Sequence, residues 1–132
     1  DKPQSKGLVF MDAPAPGVEN IAALAAGGAH LILFNTGVGN PVGHPLSPTI
    51  KVTGNPQTAQ QFADNIDVDV SRILSHGQSL EEAGVQLRAA MLCVANGRMT
   101  QSEVLGDTEI SISRIELGFA KHLRDNAPEL LA

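Results

Sequence analysis

At 132 residues, with 42% apolar content, a mean hydropathy of +0.01 and neither Trp nor Tyr, the chain reads as one soluble globular domain. Its core must rest on Leu, Ile, Val, Ala and Met. A net charge of −5 and a pI near 5.2 argue against a nucleic-acid or anionic-membrane partner. A single cysteine, Cys93, excludes an internal disulfide, and with no signal peptide or membrane-length apolar run in view the cytoplasm is expected.

Residues 1–6, "DKPQSK", read as a linker or frayed end, and residues 7–132 as a single α/β domain. "GLVFMD", residues 7–12, is expected to be a buried strand, stopped by Pro14, Pro16 and Gly17. "VENIAALAAGGA" then reads as a short helix with Ile21, Leu24 and Ala25 on one face, ended by Gly27-Gly28. "HLILFN", His30 to Asn35, is a second apolar strand. Strand, helix and strand in about thirty residues make a βαβ unit, hence a parallel sheet.

A glycine- and proline-rich loop follows, "NTGVGNPVGHPLSP". "TIKVTG" from Thr49 is a third strand, and "NPQTAQQFADN" a helix entered at Asn55 with Pro56 at its first position. "DVDVSRILSHGQ" is ambiguous, a short strand running into a turn. "SLEEAGVQLRAAMLCVANG" is the clearest helix: Ser79 and Glu82 form a capping box, Leu80, Ala83, Leu87, Met91 and Val94 keep helical spacing, and Gly97 ends it. "SEVL" suggests a helical turn, "EISISRI" a strand, and the tail from Leu117 an amphipathic helix. The class is α/β with a mainly parallel sheet.

Ligands of open parallel sheets meet the carboxyl ends of the strands, which sets Asp12 near Asn35 to Asn40. Asp12 is either a turn aspartate or a carboxylate aimed into the cleft as a metal ligand. Gly37, Gly39 and Gly43 are spaced one residue too widely for a dinucleotide fingerprint. Pro41, Pro45 and Pro48 also forbid the helix that a phosphate site requires. Glycine–asparagine runs nevertheless let backbone amides approach an anion closely.

His44 is a proton shuttle or ligand, or simply an exposed loop histidine. His30, His76 and His122 share no metal-ligand spacing. Cys93, flanked by apolar residues, reads as a buried inert thiol. Lys51 is a solvated charge on an open strand face or an anion contact in a cleft. Asp67 and Asp69 either share a metal-binding face or line a solvated one.

Taken together, "GLVFMDAPAPGVENIAALAAGGAHLILFNTGVGNPVGHPLSPTIKVTGN" resembles the C-terminal part of the altronate and galactarate dehydratase family, to which the large subunit of sulfolactate sulfo-lyase is similar. The family stretch runs G-L-x-F-M-D-T-P, a small-residue helix, G-A-x-x-x-x-F-T-T-G-R-G and P-x-I-K-V-x-x-N. "NIDVDVSRILSHGQSLEEAG" and "VANGRMTQSE" continue the likeness, which spans about residues 7–119.

The resemblance implies a bacterial carbon–oxygen lyase of carbohydrate catabolism that dehydrates hexonates or hexarates, assisted by a divalent metal such as Fe2+. It implies a Rossmann-like sheet within a larger family domain, and α-proton abstraction followed by loss of the β-hydroxyl. The substrate-binding residues it implies are Asn35, Thr36, Gly37, Gly39, Asn40, His44 and Lys51, with Asp12 toward the metal. Implied partners are the sugar acid, the N-terminal and middle regions of the enzyme or a partner subunit, and further copies in a homo-oligomer. This chain departs from the family in carrying Val38 for arginine and Asn35 for threonine. Valine cannot give the bidentate carboxylate contact of arginine. The 132 residues also correspond to only the last part of a family chain, without a proton base and most cation ligands. An isolated chain is therefore expected to be inactive; a non-catalytic acid-binding or assembly domain on the same scaffold, which Val38 favours, is the alternative.

Overall fold

The computed structural model describes residues 6–14, 16–75 and 77–112. Three parallel strands form one sheet in the order β1 (Ile32–Asn35), β2 (Thr49–Thr53), β3 (Val68–Asp69). Ile32 pairs with Thr49 and Asn35 with Val52, and Thr53 with Asp69. All three strands therefore point their carboxyl ends to the same edge. Among the described residues no helix is long and apolar enough to cross a membrane.

Alternation along β2 gives the sheet two unlike faces. Ile50 and Val52 join Val68 and Val94 in the apolar core, with Leu31, Val70, Leu87, Ala90 and Met91 packed against it. Thr49, Lys51 and Thr53 occupy the opposite face and are at most 1% exposed. Helix α1 (Gly17–Ala26) precedes β1 and buries Ile21 completely. Helix α2 (Pro56–Gln61) and a 3-10 turn at Ala63–Asn65 connect β2 to β3. Asn55 caps α2 by accepting from the Gln57 amide at 3.0 Å, and Pro56 fills the first helical position, as the sequence suggests.

The ambiguous segment resolves into β3 and a single helical turn, α3 (Arg72–Ser75). The clearest sequence helix is α4 (Leu80–Ala95), with the Ser79–Glu82 capping box complete. A second capping box, Thr100 with Glu103, starts α5 (Gln101–Leu105), which Gly106 closes at φ 73°.

Four expectations are corrected. Residues 7–12 carry no strand: Leu8 is 87% and Phe10 90% exposed. An extended run gains stability only from a ladder beside it, and β1 pairs with β2, leaving this segment without a neighbouring strand among the described residues. The βαβ unit expected over residues 7–35 is therefore lost, and the first parallel crossover is the glycine- and proline-rich loop at residues 36–48. Residues 109–112 are not a strand either; Thr108 makes a lone parallel bridge to Gly43. The rest of "EISISRI" and the predicted tail helix lie outside the described residues. Finally, Cys93 is exposed. The buried stripe of α4 runs through Ala83, Leu87, Ala90, Met91 and Val94, and Cys93 stands about 100° of helical rotation behind Val94. The same stripe leaves Leu80 78% exposed.

Candidate functional site

The carboxyl edge of the sheet holds a cavity of about 430 Å3. Asn35 and Thr36 follow from β1, Gly54 and Asn55 from β2, and Val70 from β3; Gly37, Val52, Pro56 and Leu74 complete a lining that is more apolar than polar. This is the placement that parallel strands dictate, because the loops leaving their carboxyl ends converge there.

The glycine-rich loop is tied down by its own side chains. The Gly37 carbonyl accepts from Asn55 Nδ2 and from Thr58 Oγ1, both at 2.8 Å. The Gly39 amide donates to Thr36 Oγ1 at 3.0 Å, and the Val42 amide to Asn40 Oδ1 at 2.9 Å. Gly39 adopts φ +91°, and a Cβ there would lie 2.8 Å from the Phe62 ring. Glycine is thus required twice over, for the left-handed backbone and for the approach of the ring. The Gly39 amide is engaged inside the loop, which leaves its neighbours to meet a ligand. Val38 is 82% exposed.

Lys51 is neither solvated nor open to a cleft. Its residue is 0% exposed, and Nζ has no hydrogen-bond partner. Burial pushes its pKa down, and the carboxylates of Asp67 and Asp107 pull it partly back. Asp67 is an anchor rather than a metal ligand: Oδ2 accepts from the Lys51 amide at 2.7 Å and Oδ1 from the Gln101 amide at 2.8 Å. One carboxylate thereby ties the middle of β2 to the start of α5. Asp69 accepts from the Ser71 amide at 2.8 Å, closing a local turn.

Above the polar face of β2 the loop meets the segment after α5. The Gly43 amide donates to the Asp107 carbonyl at 2.8 Å, and the Glu109 amide to the Gly43 carbonyl at 3.1 Å. A Cβ on Gly43 would collide with Ser102 Oγ. Thr100 and Ser102 are buried here, their hydroxyls 3.2 Å apart.

Asp12 and His44 line a second cavity, of about 520 Å3, with Glu19, alanines of α1, Leu46, Ile110 and Ile112. It shares no lining residue with the cavity at Asn35, so the two groups of sequence candidates open onto different surfaces. His44 is 6% exposed rather than solvated. Its Nδ1 accepts from the Leu46 amide at 3.2 Å, so a neutral ring carries its proton on Nε2. His30 is exposed; His76 and His122 lie outside the described residues.

Among the described residues no three His, Cys, Asp or Glu side chains come together to hold a metal ion.

Sequence reasoning missed Asn55 and Thr58 as supports of Gly37, and Asp67 as the tie between β2 and α5. Capping chemistry identifies Asn55, but its second contact lies 18 residues away in sequence. No local pattern encodes it.

The family profile for the C-terminal region of D-galactarate/altronate dehydratase matches residues 1–117. The beta subunit of (2R)-sulfolactate sulfo-lyase from Chromohalobacter salexigens is 41% identical over 115 residues, covering 87% of this chain and 30% of that protein. Altronate dehydratase of Escherichia coli is 30% identical over 109 residues, 83% of this chain and 22% of the enzyme. Galactarate dehydratase (L-threo-forming) of Escherichia coli is 29% identical over 97 residues, 74% of this chain and 18% of the enzyme. The chain spans less than a third of the length of each of these relatives.

Proposed function

The chain belongs to the D-galactarate/altronate dehydratase C-terminal family, and from that premise we propose that it is the C-terminal domain of a larger lyase acting on a hydroxy acid. The reaction is a β-elimination. A base removes the proton α to the carboxylate, the released electron pair forms the carbon–carbon double bond, and the β-substituent departs with its bonding pair. In the dehydration reading the β-substituent is the hydroxyl of a hexonate or hexarate, lost as water, and the enol product tautomerises to a keto acid. The observation that carries the proposal is the family match over residues 1–117.

The cavity at the carboxyl edge supports an acid-binding role. Asn35, Thr36, Gly37 and Asn55 bring amide and hydroxyl groups to one opening, and the loop behind it is pre-organised by the bonds at Gly37 and Gly39. Asn40 contributes by holding the Val42 amide. Lys51, sealed on the opposite face of the sheet, makes no direct contact in this reading. The base and a divalent cation such as Fe2+ are assigned in this reading to the remaining part of the enzyme, in keeping with relatives more than three times the matched length. The chain alone is therefore inactive.

A second reading has a specific observation behind it. Identity to the sulfo-lyase subunit is 41%, against 30% and 29% to the two dehydratases. Sulfolactate carries its sulfonate on the carbon β to the carboxylate, so the same α-proton abstraction expels sulfite instead of water. The test is turnover by the complete enzyme of altronate, galactarate and sulfolactate, with keto acid and sulfite measured separately. Keto acid without sulfite from the sugar acids supports dehydration; sulfite from sulfolactate supports the second reading. No elimination from any of the three overturns both.

A further inference from the structure

The cavity of Asp12 and His44 opens onto a surface rich in exposed apolar side chains. Its floor is the alanine-rich side of α1, with Ala22, Ala23 and Ala26. Around it stand Leu46, 81% exposed, and Ile112, 89% exposed. The extended segment before Asp12 continues the surface. Met11 Sδ would lie 3.2 Å from a Cβ on Gly27 at the end of α1, while Leu8 and Phe10 project outward, 87% and 90% exposed. Four large apolar side chains nearly free of contact cost about 1.5–3 kcal/mol each in burial forgone. A monomeric soluble protein rarely gathers such a patch without a partner for it.

Charge narrows the choice of partner. Asp12 and Glu19 border the cavity, and neither carboxylate has a hydrogen bond or ion pair among the described residues. His44 Nε2 is likewise without a hydrogen bond among the described residues. An occupant that is apolar in the middle and basic at its rim meets all of these groups at once.

We propose that this surface seats the remaining polypeptide of the enzyme. That polypeptide packs an apolar side chain onto the alanines of α1, presents a Lys or Arg to Asp12 and Glu19, and lies along Leu8 and Phe10. The proposal rests on the reading of the chain as one domain of a larger lyase. Relatives that extend over more than three times the matched length supply the occupant. Parallel exposure of Leu8 and Phe10, two residues apart, suits an added strand as the docking element.

The test uses the complete enzyme, with a photoactivatable phenylalanine analogue in place of Leu46 and, separately, of Ile112. Adducts are mapped by mass spectrometry. Both positions are expected to couple to residues of the enzyme outside this 132-residue chain, and Glu19→Lys to lower the yield roughly three- to tenfold. Adducts within these 132 residues, whether in the same copy or a second one, overturn the proposal, as does the absence of adducts at both positions. An unchanged yield with Glu19→Lys overturns the charge pairing. Elimination activity is assayed in the same samples. Mapped adducts without activity on any of the three acids remove the lyase reading and keep the seat; activity without such adducts removes the seat alone.

Discussion

Lys51 is the residue whose environment departs furthest from solution chemistry. Its folded-state pKa is depressed, so the unfolded chain binds more protons between that lowered value and about 10.4. Stability must therefore rise with pH through that window and fall again as acid returns the proton. Lys51→Met keeps the volume and removes the charge. It should stabilise the complete protein by roughly 1–3 kcal/mol near neutral pH and flatten the alkaline rise, both read from urea unfolding at several pH values. Gly39→Val forces a β-branched side chain to φ +91° and into Phe62, so its first effect is a loss of thermal stability by several degrees. The sequence identified Gly39 and Lys51 as special but not the reason for either. Positive φ and an absent hydrogen-bond partner are properties of the packed chain, not of the residue. Val38 offers the complementary test. Standing exposed beside Gly37, Val38→Arg adds a charge-assisted contact worth about 1.5–3 kcal/mol. Calorimetry on the complete enzyme should then record roughly ten- to a hundredfold tighter galactarate binding; unchanged binding with normal stability places the carboxylate contact elsewhere.

Among the elements, those whose stability is local were legible and those that need a neighbour were not. α4 declares itself through Ser79, Glu82 and an apolar stripe, and α2 through Asn55 and Pro56. The Ser79 amide and hydroxyl hold the Glu82 carboxyl below the usual carboxylate range. That contribution is present at neutral pH and is lost as pH falls through the depressed value, so amide exchange in the first turn of α4 should speed up in acid. Residues 7–12 have the composition of a strand, yet composition does not provide the adjacent backbone that a strand requires. The tie from Asp67 to Gln101, 34 residues apart, was equally invisible. Asp67→Ala removes the acceptor of two buried-side amides and should cost roughly 2–4 kcal/mol, read as a lower urea midpoint. Gly43→Ala should destabilise through its collision with Ser102, by roughly 1–3 kcal/mol. Ser102→Gly should recover most of that loss, and a double-mutant cycle in which the two effects simply add contradicts the contact.

For the whole molecule, the fold class and family were readable because they rest on long strings, the apolar segments and the motifs from Gly7 to Asn55. How the candidate residues divide was not readable. One loop carries Asn35, Thr36 and Gly37 to the carboxyl edge of the sheet and His44 to a different cavity, and nothing in the spacing of that loop marks where it changes surface. The most direct measurement is steady-state elimination, by the complete polypeptide and by residues 1–132 alone, on altronate, galactarate and sulfolactate. Turnover of at least one acid by the complete polypeptide is expected, and none above a protein-free control by residues 1–132. Turnover by the 132-residue chain alone, or none by the complete polypeptide on all three acids, contradicts the reading of this chain as one domain of a larger lyase.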